Sequence, residues 1–211
     1  MANPDAGKKP PSRGPILALA ALAAGLCTLL AVLYFQRPSD GIAQRAELFE
    51  TIGQNAEAIS VRGTDGSVAT WGSLNGAPRV VFFGFTHCPE ICPTTLSDIS
   101  AAMKRLGPST QALRVDFVSV DPERDTPEAL RAYIAGFGPQ VRAFSGDKAE
   151  LEALVKSYRV VYRKTEIGAG DYTIDHTTLA YLLNREGRVV DIAGYQTPPE
   201  RLDAQLKALL K

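Results

Sequence analysis

Hydrophobic and polar positions follow several different patterns along the chain, and each pattern predicts a different element. Residues 15–35 contain no charged side chain, and at 1.5 Å rise per residue this run would form about 31 Å of apolar helix. From residue 58 onward, short apolar runs typical of strands alternate with stretches whose apolar residues recur every three or four positions, as in amphipathic helices. The patterns therefore predict one long apolar helix followed by an α/β domain.

The predicted elements of that domain follow the order hairpin, strand, helix, strand, helix, short helix, hairpin, helix. Asp-Gly at 65–66 and Glu-Gly at 186–187 predict the turns of the two hairpins. Continuous apolar runs at 80–85 and 115–120 are typical of strands buried on both faces. The second hairpin is expected to start at residue 179.

Helix starts are visible as capping sequences. We expect one helix to begin at Thr126-Pro127, another after residues 197–200, and a short one at Asp147, which with Glu150 resembles a capping box. Pro93 suits the first position of the helix that follows the first buried strand. The apolar residues expected to face inward from these helices are Leu96, Ile99, Met103, Leu106, Leu130, Tyr133, Ile134, Phe137, Leu151, Leu154, Val155, Tyr158, Leu202, Leu206 and Leu209.

A parallel β-α-β unit followed by an antiparallel hairpin and a helix is the arrangement of the thioredoxin-like fold, a central mixed sheet flanked by helices. The first hairpin would then be an N-terminal addition to that fold. A flavodoxin-like sheet is the alternative, but it requires more βα repeats and no terminal hairpin.

The chain ahead of the domain predicts a membrane tether. Three basic residues and one acidic residue precede the apolar run, so the positive-inside tendency predicts a cytoplasmic head over 1–14, a single-pass transmembrane anchor over 15–35, a linker over 36–57 and an exported domain over 58–211. A cleaved signal peptide is the alternative, but its apolar core is shorter and ends at a small-x-small site that this chain lacks. We expect a protein of the bacterial inner membrane with its functional domain in the periplasm.

Composition excludes several classes of protein. The 211 residues include 23 basic and 23 acidic side chains, and the part beyond the head is slightly acidic. The chain therefore has no positive electrostatic field that would attract nucleic acid. Three cysteines and two histidines are too few for a multi-zinc protein or a disulfide-stapled scaffold. Two of the cysteines and one histidine nevertheless fall together within 87–92.

That cluster lies where a buried strand is predicted to turn into a helix. Cys88 and Cys92 are four residues apart, so one helical turn brings both thiols to the same face, within reach of a shared metal or of a disulfide. A helix N-terminus also stabilises a thiolate, which is both a nucleophile and a ligand. His87 could tune the neighbouring thiol or simply be exposed, and we rank it below a ligand.

Topology brings two further residues to the same edge of the sheet. Asp121 directly follows the second parallel strand, and His176 directly precedes a strand predicted to be antiparallel, so both meet the carboxyl ends of the parallel strands. Asp121 could also be a simple turn residue. Tyr172 and Asp175 are candidates for orienting the histidine, since metal-bound imidazoles normally have such a partner.

Two thiolates and one imidazole form a soft ligand set that suits Cu(I) and tolerates Cu(II). Structural zinc normally takes four protein ligands. Catalytic zinc, with water as the fourth ligand, remains an alternative to copper. In an oxidising compartment the two cysteines can close to a disulfide, which would link copper binding to redox state.

Three blocks of the sequence resemble the Sco/SenC family: residues 83–93, residues 118–127 and Asp175-His176-Thr177. The resemblance spans roughly 48–211 together with the anchor. It implies a thioredoxin-like fold and delivery of copper to the CuA centre of cytochrome c oxidase subunit II. It also implies that Cys88, Cys92 and His176 are the copper ligands, with Asp121 as an acidic residue involved in copper handling.

Two functions remain open. The first is a membrane-tethered copper chaperone, which is not a turnover enzyme and would need a periplasmic copper donor and a thioredoxin-like reductant. The alternative is a thiol-disulfide reductase that acts on the CuA-site cysteines. The C-x-x-x-C spacing differs from the C-x-x-C of ordinary dithiol oxidoreductases, which favours metal holding. The Gly-rich stretch 164–171 is expected to be mobile without metal, because it leads to His176.

Overall fold

The computed structural model describes residues 14–35 and 47–211. Residues 1–13 of the predicted head and 36–46 of the predicted linker lie outside this range. Helix α1 covers Gly14–Phe35, and within it the side chains at 22–32 and 34 are described, so the predicted anchor is described only in part. Among the described residues, no helix is long and apolar enough to cross a membrane.

From residue 58 onward the domain combines nine strands with four helices, and the described residues 47–51 form a further helical segment ahead of them. The strands are β1 (Ser60–Gly63), β2 (Val68–Thr70), β3 (Arg79–Gly84), β4 (Arg114–Ser119), β5 (Val141–Ser145), β6 (Tyr162–Gly168), β7 (Asp171–His176), β8 (Leu179–Leu183) and β9 (Val189–Gly194). The helices are α2 (Ile91–Leu106), α3 (Pro127–Ile134), α4 (Lys148–Ser157) and α5 (Pro199–Leu209), with 3₁₀ turns at Trp71–Leu74 and Gly107–Thr110.

Seven of these strands form one mixed sheet in the order β2-β1-β5-β4-β3-β8-β9. Strands β3, β4 and β5 are parallel, and the other neighbouring pairs are antiparallel. Strand β3 is buried at all six positions because it lies inside the sheet and is covered on both faces. The α/β fold with a central mixed sheet flanked by helices is therefore confirmed.

The strand register brings three chain segments to one edge of the sheet. Gly84, the last residue of β3, lies opposite Ser119, the last residue of β4. Because β8 is antiparallel to β3 and pairs Ala180 with Phe82, its first residues lie beside the end of β3. We call this edge the site edge, since the segments after Gly84, after Ser119 and before Leu179 all meet there.

Two parts of the domain differ from the prediction. Strand β5 was not predicted, and residues 162–176 form a two-stranded antiparallel sheet, β6 with β7, that is separate from the main sheet. Strand β5 was missed because it is short and Arg142 interrupts its apolar residues, and the hairpin was missed because its apolar residues are sparse. The glycines of the Gly-rich stretch serve the hairpin turn, where Gly168 and Gly170 have φ of 98° and 79°.

Two predicted helix starts also differ. Asp147 precedes α4, but its side chain makes no capping hydrogen bond; Glu150 instead accepts a hydrogen bond at 3.0 Å from the backbone of Ser60. The carboxylate therefore joins α4 to β1 rather than forming a capping box. Pro93 is the third residue of α2, still within the first turn, where a helix needs no backbone donor.

Residues 47–57, within the predicted linker, pack against the domain. Ile52 and Ala56 are buried, and the backbone N–H of Gly53 donates to the carbonyl of Ser157 at 2.8 Å. Folded structure therefore begins before residue 58.

The end of the sheet opposite the site edge is held by buried charge. Asp116 accepts from Arg79 at 3.2 Å and lies 2.7 Å from Arg142, and Arg79 also stacks over the Trp71 ring at 4.6 Å. Removal of one partner of such a cluster would leave the other charges buried without a counter-charge. The cluster therefore fixes which β-strands are neighbours.

Candidate metal centre

The two thiols are placed by the turn from β3 into α2. The backbone N–H of Cys88 donates to the carbonyl of Phe85 at 3.2 Å, which closes the turn, and Cys92 lies in the first turn of α2. The N–H of Cys92 points at the Cys88 sulfur at 3.4 Å. A free backbone donor at the start of a helix, together with the helix dipole, favours negative charge on that sulfur.

The imidazole of His176 is oriented by its own backbone neighbour. Its Nδ1 lies 2.9 Å from the carbonyl oxygen of Thr177, and a carbonyl can only accept, so Nδ1 carries the proton. The Nε2 lone pair is then directed at Cys92, whose sulfur is 3.5 Å away. The rings of Phe82 and Phe85 pack edge-on against the imidazole and limit its rotation.

The structure thus brings together Cys88, Cys92 and His176, which reach the site edge from two distant parts of the chain. The two sulfurs and the imidazole nitrogen all lie within 4.8 Å of one another. Cys92 is fully buried, Cys88 is 9% exposed and His176 is half-buried, so the cluster opens to solvent on the side of Cys88 and His176. In the described residues this is the one group of three potential ligands that could hold a metal ion.

The two thiols have opposite electrostatic character. A hydrogen bond from the Cys92 thiol, helped by backbone donors, lowers the pKa of Cys88 from 9.0 to about 4. The same hydrogen bond, together with burial, raises the pKa of Cys92. The apo site therefore holds one proton between the two sulfurs, with Cys88 as the thiolate.

Gly84 makes room for this arrangement. A Cβ at Gly84 would lie 2.7 Å from the Cys92 sulfur and 2.7 Å from the ring of Phe117, both far inside van der Waals contact. The thiol therefore packs against bare backbone at the end of β3, which only glycine provides.

Asp121 reaches the site edge but does not face the thiols. Its buried carboxylate accepts from the Tyr172 hydroxyl at 2.7 Å and from the Arg124 guanidinium at 2.5 Å. Tyr172 is accordingly turned toward Asp121 and does not contact His176 through its hydroxyl.

Asp175 and His87 also lie away from the three ligand atoms. Successive side chains of a strand point to opposite faces, so Asp175 faces away from its neighbour His176 and accepts from Thr165 at 2.8 Å. The imidazole is oriented by the Thr177 carbonyl in its place. His87 is 54% exposed, with Nδ1 at 3.1 Å from the Thr86 hydroxyl.

A buried carboxylate that the sequence did not single out holds the thiol turn in place. Asp125 accepts from the hydroxyl of Thr86 and from that of Ser119, each at 2.6 Å, and from the Thr86 backbone at 3.0 Å. It thereby ties the segment before Cys88 to the end of β4. Asp125 lies four residues after Asp121, in a turn-rich block beyond a buried strand. That position was the sequence signal by which it could have been identified as a residue of the site edge.

A sequence model described as SCO1/SenC matches residues 54–211 of the chain. The mitochondrial SCO1 homolog 1 of Arabidopsis thaliana is 38% identical over 131 residues, which cover 62% of this chain but only 39% of that longer protein. A SCO2-like protein of Rickettsia prowazekii is 30% identical over 178 residues, which cover 82% of this chain and 85% of the relative.

Among solved structures, ScoI of Bradyrhizobium japonicum with copper bound superposes with a TM-score of 0.66 at 41% identity. The match covers 72% of this chain and 96% of that one. A copper-bound structural relative and the Cys-Cys-His cluster are independent observations that agree on the metal. The expectation of copper as the ion is confirmed on this basis.

The lowered pKa of Cys88 predicts that its thiolate persists at pH values far below the ordinary pKa of a cysteine thiol. In the reduced chain, the ultraviolet thiolate band should remain until the pH falls to about 4, and Cys88→Ser should remove it. Because the folded thiol binds its proton less tightly than the unfolded one, this group's contribution to stability is complete above pH 9.0 and is lost as the pH falls through about 4. In Cys92→Ala, which lacks the hydrogen-bond donor, the midpoint should move up. A midpoint near 9.0 in the unmodified chain would contradict the assignment.

The packing at Gly84 predicts a strong effect of one methyl group. Gly84→Ala should lower the free energy of unfolding by about 1–3 kcal/mol, as overpacking does, and should weaken copper binding because the Cys92 thiol has to move. Gly194→Ala is the matched control, since Gly194 also ends a strand of the main sheet but a Cβ there meets no atom within 4 Å. Urea denaturation and a copper competition titration measure both effects, and equal behaviour of the two variants would refute the role of Gly84.

Proposed function

Because the chain belongs to the SCO1/SenC family, we propose that it is a copper chaperone that holds Cu(I) on Cys88, Cys92 and His176 and delivers it to the CuA centre of cytochrome c oxidase subunit II. The observation that carries the proposal is the convergence of two sulfurs and one imidazole nitrogen within 4.8 Å. Two soft sulfurs and one nitrogen suit the low coordination number of Cu(I).

The state of the apo site supports metal capture. Cys88 is already the thiolate, and the Nε2 lone pair of His176 already faces the cluster, so only Cys92 has to lose a proton when a metal binds. Ligands must be deprotonated to bind, so two of the three are prepared in advance.

The exposure of the ligands supports transfer to a partner. Cys92 is fully buried, whereas Cys88 and His176 line the open side of the cluster. A ligand from the acceptor can approach only from that side, so Cys88 or His176 would be exchanged first and Cys92 last. Copper would thus stay bound to protein throughout the exchange.

The cysteine pair also connects copper loading to redox state. Oxidation of the Cys88 thiolate and the Cys92 thiol to a disulfide removes two electrons and one proton from the pair and abolishes both sulfur ligands. An exported domain would therefore need a thioredoxin-like reductant, which returns the electrons by thiol-disulfide exchange, and a periplasmic copper donor.

A single-pass membrane anchor is part of the proposal. It is supported by the charge-free run over 15–35 and by the three basic residues that precede it. With the head in the cytoplasm, the linker would hold the copper-binding domain on the periplasmic side of the bacterial inner membrane.

A thiol-disulfide reductase acting on the CuA-site cysteines is the second candidate. The specific observation that favours it is the asymmetry of the pair, because a thiolate next to a buried thiol is the arrangement by which dithiols attack and then resolve a mixed disulfide. His176 has no necessary part in that reaction.

The two histidines separate these functions. In a Cys27→Ser background, so that no thiol outside the site competes, His176→Ala should weaken Cu(I) binding at least tenfold, while His87→Ala, at the exposed histidine next to Cys88, should bind as tightly as the parent. Competition with a chromophoric Cu(I) chelator under anaerobic conditions measures the affinities.

The same variants are then assayed for reduction of an oxidised CuA domain. A chaperone should lose copper transfer in His176→Ala, whereas a reductase should keep most of its exchange activity in that variant and lose it in Cys88→Ser. Undiminished Cu(I) affinity in His176→Ala would exclude the three-ligand site.

The anchor predicts that the full chain stays in the membrane fraction after alkaline carbonate extraction. In spheroplasts, external protease should digest the domain and leave residues 1–14 protected. Recovery of the domain as a soluble periplasmic protein would contradict the anchor and favour a cleaved signal peptide. Protection of the domain would contradict the orientation.

A further inference from the structure

The β6–β7 hairpin, which carries His176, is not part of the main sheet, so its position depends on contacts other than sheet hydrogen bonds. The base of the hairpin is closed by Val161 and Thr177, whose backbone groups are joined at 2.9 Å. Alternate residues of β7 share a face, and Ile174 on the same face as His176 is buried. The hairpin could still pivot about its base unless a second point is held.

Arg124 supplies that second point. Its Nε donates to Asp121, in the segment that follows β4, and its Nη1 donates to the carboxylate of Asp171 at 3.0 Å and to the backbone carbonyl of Tyr172 at 2.8 Å. One guanidinium therefore joins the site edge to the hairpin through three hydrogen bonds. We call Arg124, Asp121 and Tyr172 the clasp.

The Tyr172 ring completes the clasp. The guanidinium carbon of Arg124 lies 3.6 Å from the ring centroid, and the Tyr172 hydroxyl donates to Asp121 at 2.7 Å. Lys164, on the other strand of the hairpin, lies 4.4 Å from the same ring and pairs with Glu123 at 2.6 Å. Both strands of the hairpin are thus linked to the segment after β4.

The clasp is shielded enough to be strong. The Asp121 side chain is fully buried and that of Arg124 is 18% exposed, so its charge-assisted hydrogen bonds are poorly screened by water. The planar guanidinium donates in two directions while it stacks on a ring, which a lysine ammonium cannot reproduce.

We propose that Arg124 is a positioning residue for copper binding, which holds the β6–β7 hairpin so that His176 stays at the thiols. This inference rests on the proposed function. Arg124 acts through the hairpin: Tyr172 and His176 are four residues apart on one face of β7, so a tilt of the strand at Tyr172 moves the imidazole away from Cys92. The histidine is thereby positioned before any metal arrives.

The test compares Arg124→Gln with Arg163→Gln in the full chain with Cys27→Ser. Arg163 is the matched control, because it lies on the same hairpin, carries the same charge and is 79% exposed, with one ion-pair contact at 3.7 Å. Arg124→Gln should weaken Cu(I) binding about tenfold, the scale seen when outer-shell support of a ligand is removed. Arg163→Gln should leave the affinity unchanged, and Arg124→Lys should recover only part of the loss.

A double-mutant cycle with His176→Ala separates positioning from general destabilisation. If Arg124 acts through His176, Arg124→Gln should cause no further loss of Cu(I) affinity once the imidazole is gone. The pH midpoint of the Cys88 thiolate band should be the same in Arg124→Gln as in the parent. Hydrogen exchange of the β7 amides should become faster in Arg124→Gln but not in Arg163→Gln.

The outcomes distinguish this inference from the proposed function. If His176→Ala itself leaves Cu(I) affinity intact, the three-ligand site is wrong and Arg124 has nothing to position. If His176→Ala weakens binding but Arg124→Gln does not, or if the two losses simply add, the clasp is a structural contact only and the inference is overturned.

Discussion

The whole site depends on the contact between the Cys92 sulfur and the bare backbone of Gly84. That contact lets α2 begin directly above the end of β3, which turns its first N–H groups toward Cys88 and buries one thiol beneath the other. With a side chain at that position the thiol pair would be pushed away from the sheet, and an imidazole arriving from the β6–β7 hairpin would meet neither sulfur.

The asymmetry of the two thiols follows from this placement. Cys88 lies in the turn before α2 and Cys92 in the first turn of that helix, and one is an anion at the rim while the other is a neutral donor in the interior. Burial penalises a second negative charge, and the hydrogen bond between the sulfurs places the single charge where backbone donors already point. The sequence spacing gives no reason for the two thiols to differ in pKa, and the local fold supplies that difference.

Much of the fold and the core of the site could be predicted from the sequence, because both rest on strong local signals. Apolar runs revealed β3 and β4, and strand topology alone brought His176 toward Cys88 and Cys92. Strand β5 was missed because it is only five residues long and Arg142 interrupts its apolar residues, and the β6–β7 hairpin was missed because its largely exposed strands carry few apolar residues. The partners of the ligands were also missed: Asp175 was a plausible neighbour of His176, but the two-residue period of a strand turns it to the other face, and a backbone carbonyl takes its role.

The use of that carbonyl has a consequence for how fast the metal can leave. A carboxylate behind an imidazole draws its proton strongly and makes the opposite nitrogen a better electron donor, whereas the neutral carbonyl of Thr177 polarises the ring less. The imidazole would therefore hold a bound copper ion less tightly than a histidine backed by a carboxylate. A protein that stored copper would gain from a charged partner at this position, and one that passes copper on gains from its absence.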